Sequence, residues 1–325
     1  MQYIKMQVDT KKTPGAFWLT GSQKFLMMKG ISETLAGRVA IINMLGLSLR
    51  EQTRQLLDVP PFLPDLSLIE QRGRSLPKSA PENIFETIWC GSMPALITGS
   101  IKDRGVFYSS YLQTYLQRDV RDLINISDET TFVRFLKACA ARTGQMLNMA
   151  ELARDSDVTP MTAKHWLSIL QASFQIFLLQ PYHNNITKRL VKAPKLYFLD
   201  TGLCSYLTEW SSPEVLEAGA MSGAILETYV LSELLKSWWH QAQEPPLYYY
   251  RDKDKREVDF VFARDNALYA LEVKKAASPK SNWANIFQSL EYLKVKIKGS
   301  VVLSLVKDIV PLGKNVHAVP IIGYI

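Results

Sequence analysis

Three residues toward the end of this 325-residue chain combine the types and spacing needed for chemistry on a phosphate: Asp259, Glu272 and Lys274. Asp259 lies in the run Glu257-Val258-Asp259-Phe260-Val261-Phe262. Glu272 and Lys274 lie in Leu268-Tyr269-Ala270-Leu271-Glu272-Val273-Lys274-Lys275. Both runs alternate polar and apolar residues as half-buried strands do, and Arg264-Asp265-Asn266 between them is a hairpin-length turn signal. Side chains repeat with period two, so Glu257, Asp259 and Val261 share one face, and Leu268, Ala270, Glu272 and Lys274 share another. Pairing the strands gathers Asp259, Glu272 and Lys274 at one end of the hairpin. Two carboxylates this close repel unless a cation lies between them, and hard oxygen ligands with waters suit magnesium. A lysine on the same face can polarise an attacking water or neutralise phosphate charge. The competing reading is a set of solvated strand-end charges paired with one another.

The elements that must hold this cluster can be read around it. Ahead of the hairpin, Gly223 to Leu235 carries apolar residues at helical spacing. After it, Trp283, Ile286, Phe287, Leu290 and Leu293 mark an amphipathic helix, and Ser300 to Val306 reads as a buried strand. The D…E-x-K pattern in this order of helix, three strands, helix and strand resembles the PD-(D/E)XK nuclease superfamily. That resemblance implies a nuclease-like α/β domain over 211–325 and a further carboxylate on the leading helix, a position that Glu227 matches.

Composition excludes some classes. With 47% hydrophobic and 21% charged residues the chain is that of an ordinary soluble globular protein, long enough for two or three domains. The net charge of +7 is compatible with a polyanionic partner such as DNA without requiring one. Cys90, Cys139 and Cys204 are far apart and form no C-x-x-C pair, so neither a disulfide framework nor a zinc knuckle is expected, and a reducing cytoplasm fits. No apolar run is long enough to span a bilayer and no signal-peptide pattern opens the chain, so no membrane partner is expected.

Residues 1–58 contain an apolar stretch, Ala16-Phe17-Trp18-Leu19-Thr20-Gly21-Ser22-Gln23, that reads as a strand, and then a helix through Phe25, Leu26, Met27, Ile31 and Leu35. LTGSQ, SETLAGRV and LSLRE resemble the end of a P-loop ATPase core of the AAA+ superfamily. The resemblance implies nucleotide-sensing remnants at Ser22 or Gln23 and at Arg38, and a chain that begins inside a longer family member. A Walker A loop, G-x-x-x-x-G-K-[ST], is not in the sequence: Gly313-Lys314 is followed by Asn315. Leu196 to Asp200 imitates a Walker B strand, but it reads as a core strand turning into Thr201-Gly202. ATP binding is therefore expected only of full-length family members.

Residues 59–105 read as a linker and helical connection: prolines at 60, 61 and 64 predict an exposed loop over 59–74, and a helix follows over 81–89. Within 106–210, helices are expected over 107–123 and 129–142. A helix-turn-helix pattern follows, in which Thr159 caps a second helix that begins at Pro160 and buries Ala163, Trp166, Leu167 and Leu170. Strands over 174–179 and 195–199, joined by a polar loop with Lys188 and Arg189, complete a winged-helix layout. Thr162, Lys164, His165 and Ser168 then face outward as a recognition helix needs, with Lys188 and Arg189 as a basic wing for phosphate contact. Winged helices also serve as protein-protein modules, so the partner is DNA or a protein such as an ATPase core.

The motifs YLQTYLQRDVRDL, ARTGQMLN, KRLVKAPKLYFLDTGL, GAILETYV, YYYRDKDKREVDF and LEVKK, over the chain from about residue 105, resemble the family numbered 4143 among domains of unknown function. Its members follow an AAA+ ATPase core in bacterial and archaeal proteins. The expected architecture is α/β multidomain: the end of an AAA+ core, a helical winged-helix domain, and a nuclease-like domain with magnesium at Asp259 and Glu272. The alternative is a non-catalytic accessory domain of an ATP-binding protein.

Overall fold

The computed structural model describes residues 2–11, 13–21, 35, 37–54, 59–73, 83–116, 129–183 and 192–325. It shows a mixed α/β chain built on two sheets. Among the described residues the smaller sheet has strands β1 (Gln145–Met146), β2 (Ile176–Leu179) and β3 (Lys195–Phe198) in the order β1-β3-β2, all antiparallel. The larger has β4 (Leu247–Arg251), β5 (Glu257–Arg264), β6 (Ala267–Lys274), β7 (Lys296–Ser304), β8 (Val310–Gly313) and β9 (Val316–Pro320) in the order β4-β5-β6-β7-β9-β8.

The β5–β6 hairpin forms where the alternation predicts it. Asp265 and Asn266 both adopt left-handed backbone, with φ of 53° and 55°, as a two-residue primed turn requires, and Arg264 pairs with Ala267. From β6 the chain crosses over through residues Ser281–Leu293 to β7, which lies parallel to β6. The crossover is wound as a 3₁₀-helix where an ordinary amphipathic helix was expected, and it buries Phe287 and Leu290 against Val261, Leu268 and Ala270. On the other face Phe260, Phe262, Tyr269 and Leu271 join the main core with Ile225, Leu226, Tyr229 and Leu234 of the long helix Ser222–Trp239.

The smaller sheet is surrounded by helices Glu129–Ala140, Met149–Asp155 and Pro160–Ala172. Thr159 caps the last of these, its Oγ1 accepting from the Thr162 N–H at 3.1 Å, and Trp166 packs edge-on against Phe132 and Phe135. The two sheets meet where the Tyr182 N–H donates to the Tyr249 carbonyl of β4 at 2.6 Å and the Tyr249 N–H donates to the Gln180 carbonyl at 3.1 Å, and again where Lys195 of β3 reaches Glu257 of β5.

Two expectations are corrected. Residues 16–21 lie outside any strand and are exposed, Trp18 to 79%. They have no ladder partner among the described residues, and an apolar run without a neighbour to bond cannot form a strand. Residues 59–73 are not an exposed loop: Phe62, Leu63 and Ile69 are core residues, and Leu66–Gly73 is helical. The prolines direct the turn, but the Phe62 N–H donates to Ser237 Oγ and the Phe62 carbonyl accepts from Trp238 Nε1, which fasten the segment to the long helix. The helix expected over 107–123 spans Arg104–Tyr115, and its later part lies outside the described residues.

Candidate functional site

The β5–β6 ladder runs from Arg264 and Ala267 to Phe260 and Leu271. Past that pair, side chains take over from backbone pairing. The Val273 N–H donates to Asp259 Oδ2 at 2.8 Å, and the Asp259 N–H donates to Glu272 Oε2 at 3.4 Å. Lys274 Nζ donates to Glu272 Oε1 at 2.5 Å. Asp259, Glu272 and Lys274 are thus brought together at the mouth of the hairpin. Glu227, on the long helix, adds to the rise of both carboxyls through its charge.

Residues that the sequence reading missed complete the cluster. Lys195, at the start of β3, places Nζ 2.7 Å from Glu227 Oε1 and 2.8 Å from Glu257 Oε1. The Tyr197 hydroxyl donates to the same Glu227 oxygen, and Arg251 Nε lies 3.8 Å from Glu257 Oε2. The signal available in the sequence was the lysine inside Lys195-Leu196-Tyr197-Phe198, a strand buried at every position. Such a lysine needs a carboxylate partner.

Four carboxylates face two lysines and Arg251, and the titration behaviour follows. Burial pushes the Asp259 carboxyl well above its ordinary value, and Glu227 and Glu272 push it further. Glu272 is also raised, first by burial, against the opposing pull of Lys274. Burial alone would lower Lys195 and Lys274, but the neighbouring carboxylates outweigh it and hold both above the usual lysine value. Among the described residues no three His, Cys, Asp or Glu side chains are grouped to hold a metal ion. Asp259 and Glu272 nevertheless fit magnesium, which is held by one or two carboxylates together with water and phosphate oxygens. Glu227 is taken up by Lys195 and Tyr197.

Lys164, His165 and Ser168 lie exposed on helix Pro160–Ala172, and Thr162 is half-buried with its hydroxyl bonded to Thr159. Lys188, Arg189, Ser22 and Gln23 lie outside the described residues. Arg38 forms an exposed ion pair with Asp9 at 3.1 Å. Asp200, the imitation Walker B aspartate, caps helix Thr201–Leu207 and binds Ser92 and Tyr108. Gly202 follows because a Cβ there would sit 2.1 Å from the Tyr108 hydroxyl oxygen and 2.4 Å from the Cys90 carbonyl oxygen.

Comparison with known proteins gives the class first. Residues 1–53 match an AAA domain model and residues 222–324 match the domain of unknown function DUF4143, which together support an AAA-like, ATPase-associated family carrying that domain. The helical part, residues 81–214, matches another domain of unknown function, DUF8612, so the 4143 match is shorter than the expected stretch from residue 105. Uncharacterized proteins of Mycobacterium bovis and Mycobacterium tuberculosis are each 28% identical to this chain over 276 residues, covering 85% of it and 56% of their own length. The chain therefore spans about half the length of the curated relatives it matches. No solved structure matches it. Among the described residues, no helix is long and apolar enough to cross a membrane.

Proposed function

We propose that this chain is the DNA-engaging, nuclease-like part of an ATPase-type protein, with magnesium-dependent phosphodiester cleavage at Asp259, Glu272 and Lys274. The observation that carries the reading is the open end of the β5–β6 hairpin, where carboxylates from two strands and a helix converge with an ammonium. Asp259 and Glu272 would hold magnesium, which when bound supplies positive charge to a phosphate and acidifies a water. Lys274, held by Glu272, would assist the attacking water or neutralise phosphate charge, and Glu227 would support the site from the helix. The order of long helix, β4–β5–β6 meander, helical crossover and parallel β7 supports the PD-(D/E)XK resemblance.

The sequence of helix, β1, two helices, β2 and β3 supports a winged helix. Thr162, Lys164, His165 and Ser168, with Lys188 and Arg189 as its wing, would contact DNA. ATP belongs to this reading only through the wider protein, since this sequence has no Walker A loop.

To test the reading, the protein is incubated with magnesium and plasmid or branched DNA beside a Glu272→Ala variant. Cleavage by the wild type alone is expected; equal cleavage by both, or none by either, sinks it. For the winged helix, Lys164→Ala should lower the slope of log affinity against log salt by about 1 without changing sequence preference. A second reading, a non-catalytic accessory domain, is favoured by the buried Lys195 between Glu227 and Glu257, an arrangement that also suits a purely structural ion-pair network. Calorimetry with magnesium separates the two, because a structural network gives no specific heat.

A further inference from the structure

Helix Pro160–Ala172 turns a residue outward that its sequence pattern did not single out. Thr162 is half-buried, and its hydroxyl lies 2.8 Å from the Thr159 hydroxyl, inside the cap that starts the helix. Met161, one residue earlier, is 82% exposed, the most exposed large apolar side chain among the described residues. Met161, Lys164, His165 and Ser168 are all exposed and follow one another at helical spacing. They form one stripe, opposite Ala163, Trp166, Leu167 and Leu170 in the core. The Ser168 hydroxyl donates to the His165 carbonyl of its own helix at 2.6 Å. Met161, Lys164 and His165 are left to reach outward.

The charge around the stripe suits a polyanion. The helix contains no Asp or Glu, and Lys164 makes no ion pair among the described residues. In the preceding helix and turn, Asp155 is held by Arg142 and Arg154, and Asp157 lies 4.0 Å from Arg134. Glu151 is their one unpaired acid among the described residues. A stripe that joins an ammonium to a bare thioether chain matches the major groove of duplex DNA. That groove offers acceptor atoms, phosphates along its rim and one apolar group, the thymine C5-methyl. Residues in the first turn of a recognition helix meet base edges, and Met161 is the second residue of this helix. An unbranched thioether chain adapts its shape to such a methyl group.

We infer that Met161 is a base-reading residue that covers a thymine C5-methyl in the major groove, with Lys164 beside it on a base acceptor or a phosphate. The inference rests on the reading of this helix as a DNA-recognition helix. It goes beyond that reading by assigning the base selected and the side chain that selects it.

The experiment begins with a duplex selected by the full chain from a pool of random sequence. That duplex is then made twice, once with thymidine and once with deoxyuridine throughout, a change that removes only the C5-methyl groups. Affinities of the wild type and of Met161→Ala are read by fluorescence anisotropy at one salt concentration. The wild type should bind the thymidine duplex about fourfold more tightly than the deoxyuridine duplex, the worth of one buried methyl group. Met161→Ala should bind both duplexes alike, as weakly as the wild type binds the deoxyuridine form. Met161 is exposed, so its truncation leaves the fold in place, and an unchanged melting temperature verifies this. A selected site without thymine, equal wild-type affinity for the two duplexes, or the same preference in Met161→Ala overturns the inference and leaves DNA contact by the helix standing. Should the wild type enrich and bind no duplex, the DNA reading of the helix and the inference fall together, and the stripe is a face for a protein.

Discussion

The backbone N–H of Leu49 donates to the buried carboxylate of Glu233 at 2.8 Å, and through this bond the segment that matches an AAA domain is fastened to the helix that opens the DUF4143 match. The contact extends along one stripe of that helix. Lys236 Nζ lies 2.8 Å from Glu233 and donates to the Leu47 carbonyl at 3.2 Å, and His240 Nε2 accepts from the Leu45 N–H at 3.1 Å. Residues 45–49 thus run antiparallel to the last turns of the helix whose first turns carry Glu227.

Glu233→Ala strips the Leu49 N–H of its partner and leaves the Lys236 ammonium buried without its carboxylate. Loss of one member of a buried pair costs about 3–5 kcal/mol, whereas replacing both by apolar residues is close to neutral. Glu233→Ala should therefore lower the denaturant midpoint sharply, and Glu233→Leu with Lys236→Met should recover most of the loss. Urea unfolding of the two variants checks this; equal losses would show that the pair itself, not the orphaned charge, sets the cost.

Asp200 is a second fastening. Its Oδ1 accepts from the Tyr108 hydroxyl at 2.8 Å and the Leu203 N–H at 2.7 Å, while Oδ2 accepts from the Ser92 N–H at 2.9 Å and the Ser92 hydroxyl at 3.0 Å. Asp200→Ala removes a helix cap and orphans buried donors, a loss of about 2–4 kcal/mol. Asp200→Asn keeps an acceptor and should lose less. Thermal unfolding of both variants tests the order, and an Asp200→Ala protein as stable as the wild type would refute the structural role.

How much of this could be read in the chain depends on how local each signal is. The β5–β6 hairpin and the grouping of Asp259, Glu272 and Lys274 follow from period-two alternation and one turn, all within a short stretch. Lys195 and Tyr197 escaped notice because Lys195-Leu196-Tyr197-Phe198 shows no alternation of burial, and because the partners of Lys195 lie 32 and 62 residues away. Residues 16–21 and 59–73 were misread in opposite directions for one reason. Apolarity and proline set local preference, but a ladder partner or a neighbouring helix decides whether a strand forms or a Phe62 is buried.

Glu51 sets an acid limit. Burial raises its carboxyl, but the His240 ring, the Ser48 N–H and the Ser48 hydroxyl outweigh this and hold it at about 2, below the ordinary 4.5. Nε2 of His240 accepts from Leu45, so the ring proton is on Nδ1, 3.4 Å from Glu51. A carboxyl lowered by folding contributes stability that is complete above its unfolded value and is lost as pH falls through its folded value. The stability of the wild type should therefore decline between about pH 4.5 and pH 2, and Glu51→Gln should flatten that part of the curve. Denaturant titrations across this range decide it; parallel curves would remove Glu51 from the acid response.

Asp259 acts with the opposite sign. Its carboxyl is raised by burial and by Glu227 and Glu272, so the native state keeps a proton that the unfolded chain gives up. Stability then falls as pH rises from about the ordinary value of 3.8 to the folded one, and the whole penalty stands above that. Asp259→Asn keeps an oxygen for the Val273 N–H and removes the charge. The variant should melt about 2–5 °C above the wild type at neutral pH, with the gain shrinking as pH approaches 4. Magnesium, by neutralising the same repulsion, should raise the wild-type melting temperature and leave Asp259→Asn nearly unmoved. Melting curves between pH 4 and 8, with and without magnesium, test both halves. A variant less stable than the wild type at neutral pH would show that the Asp259 charge is held by its lysines rather than strained by its carboxylates.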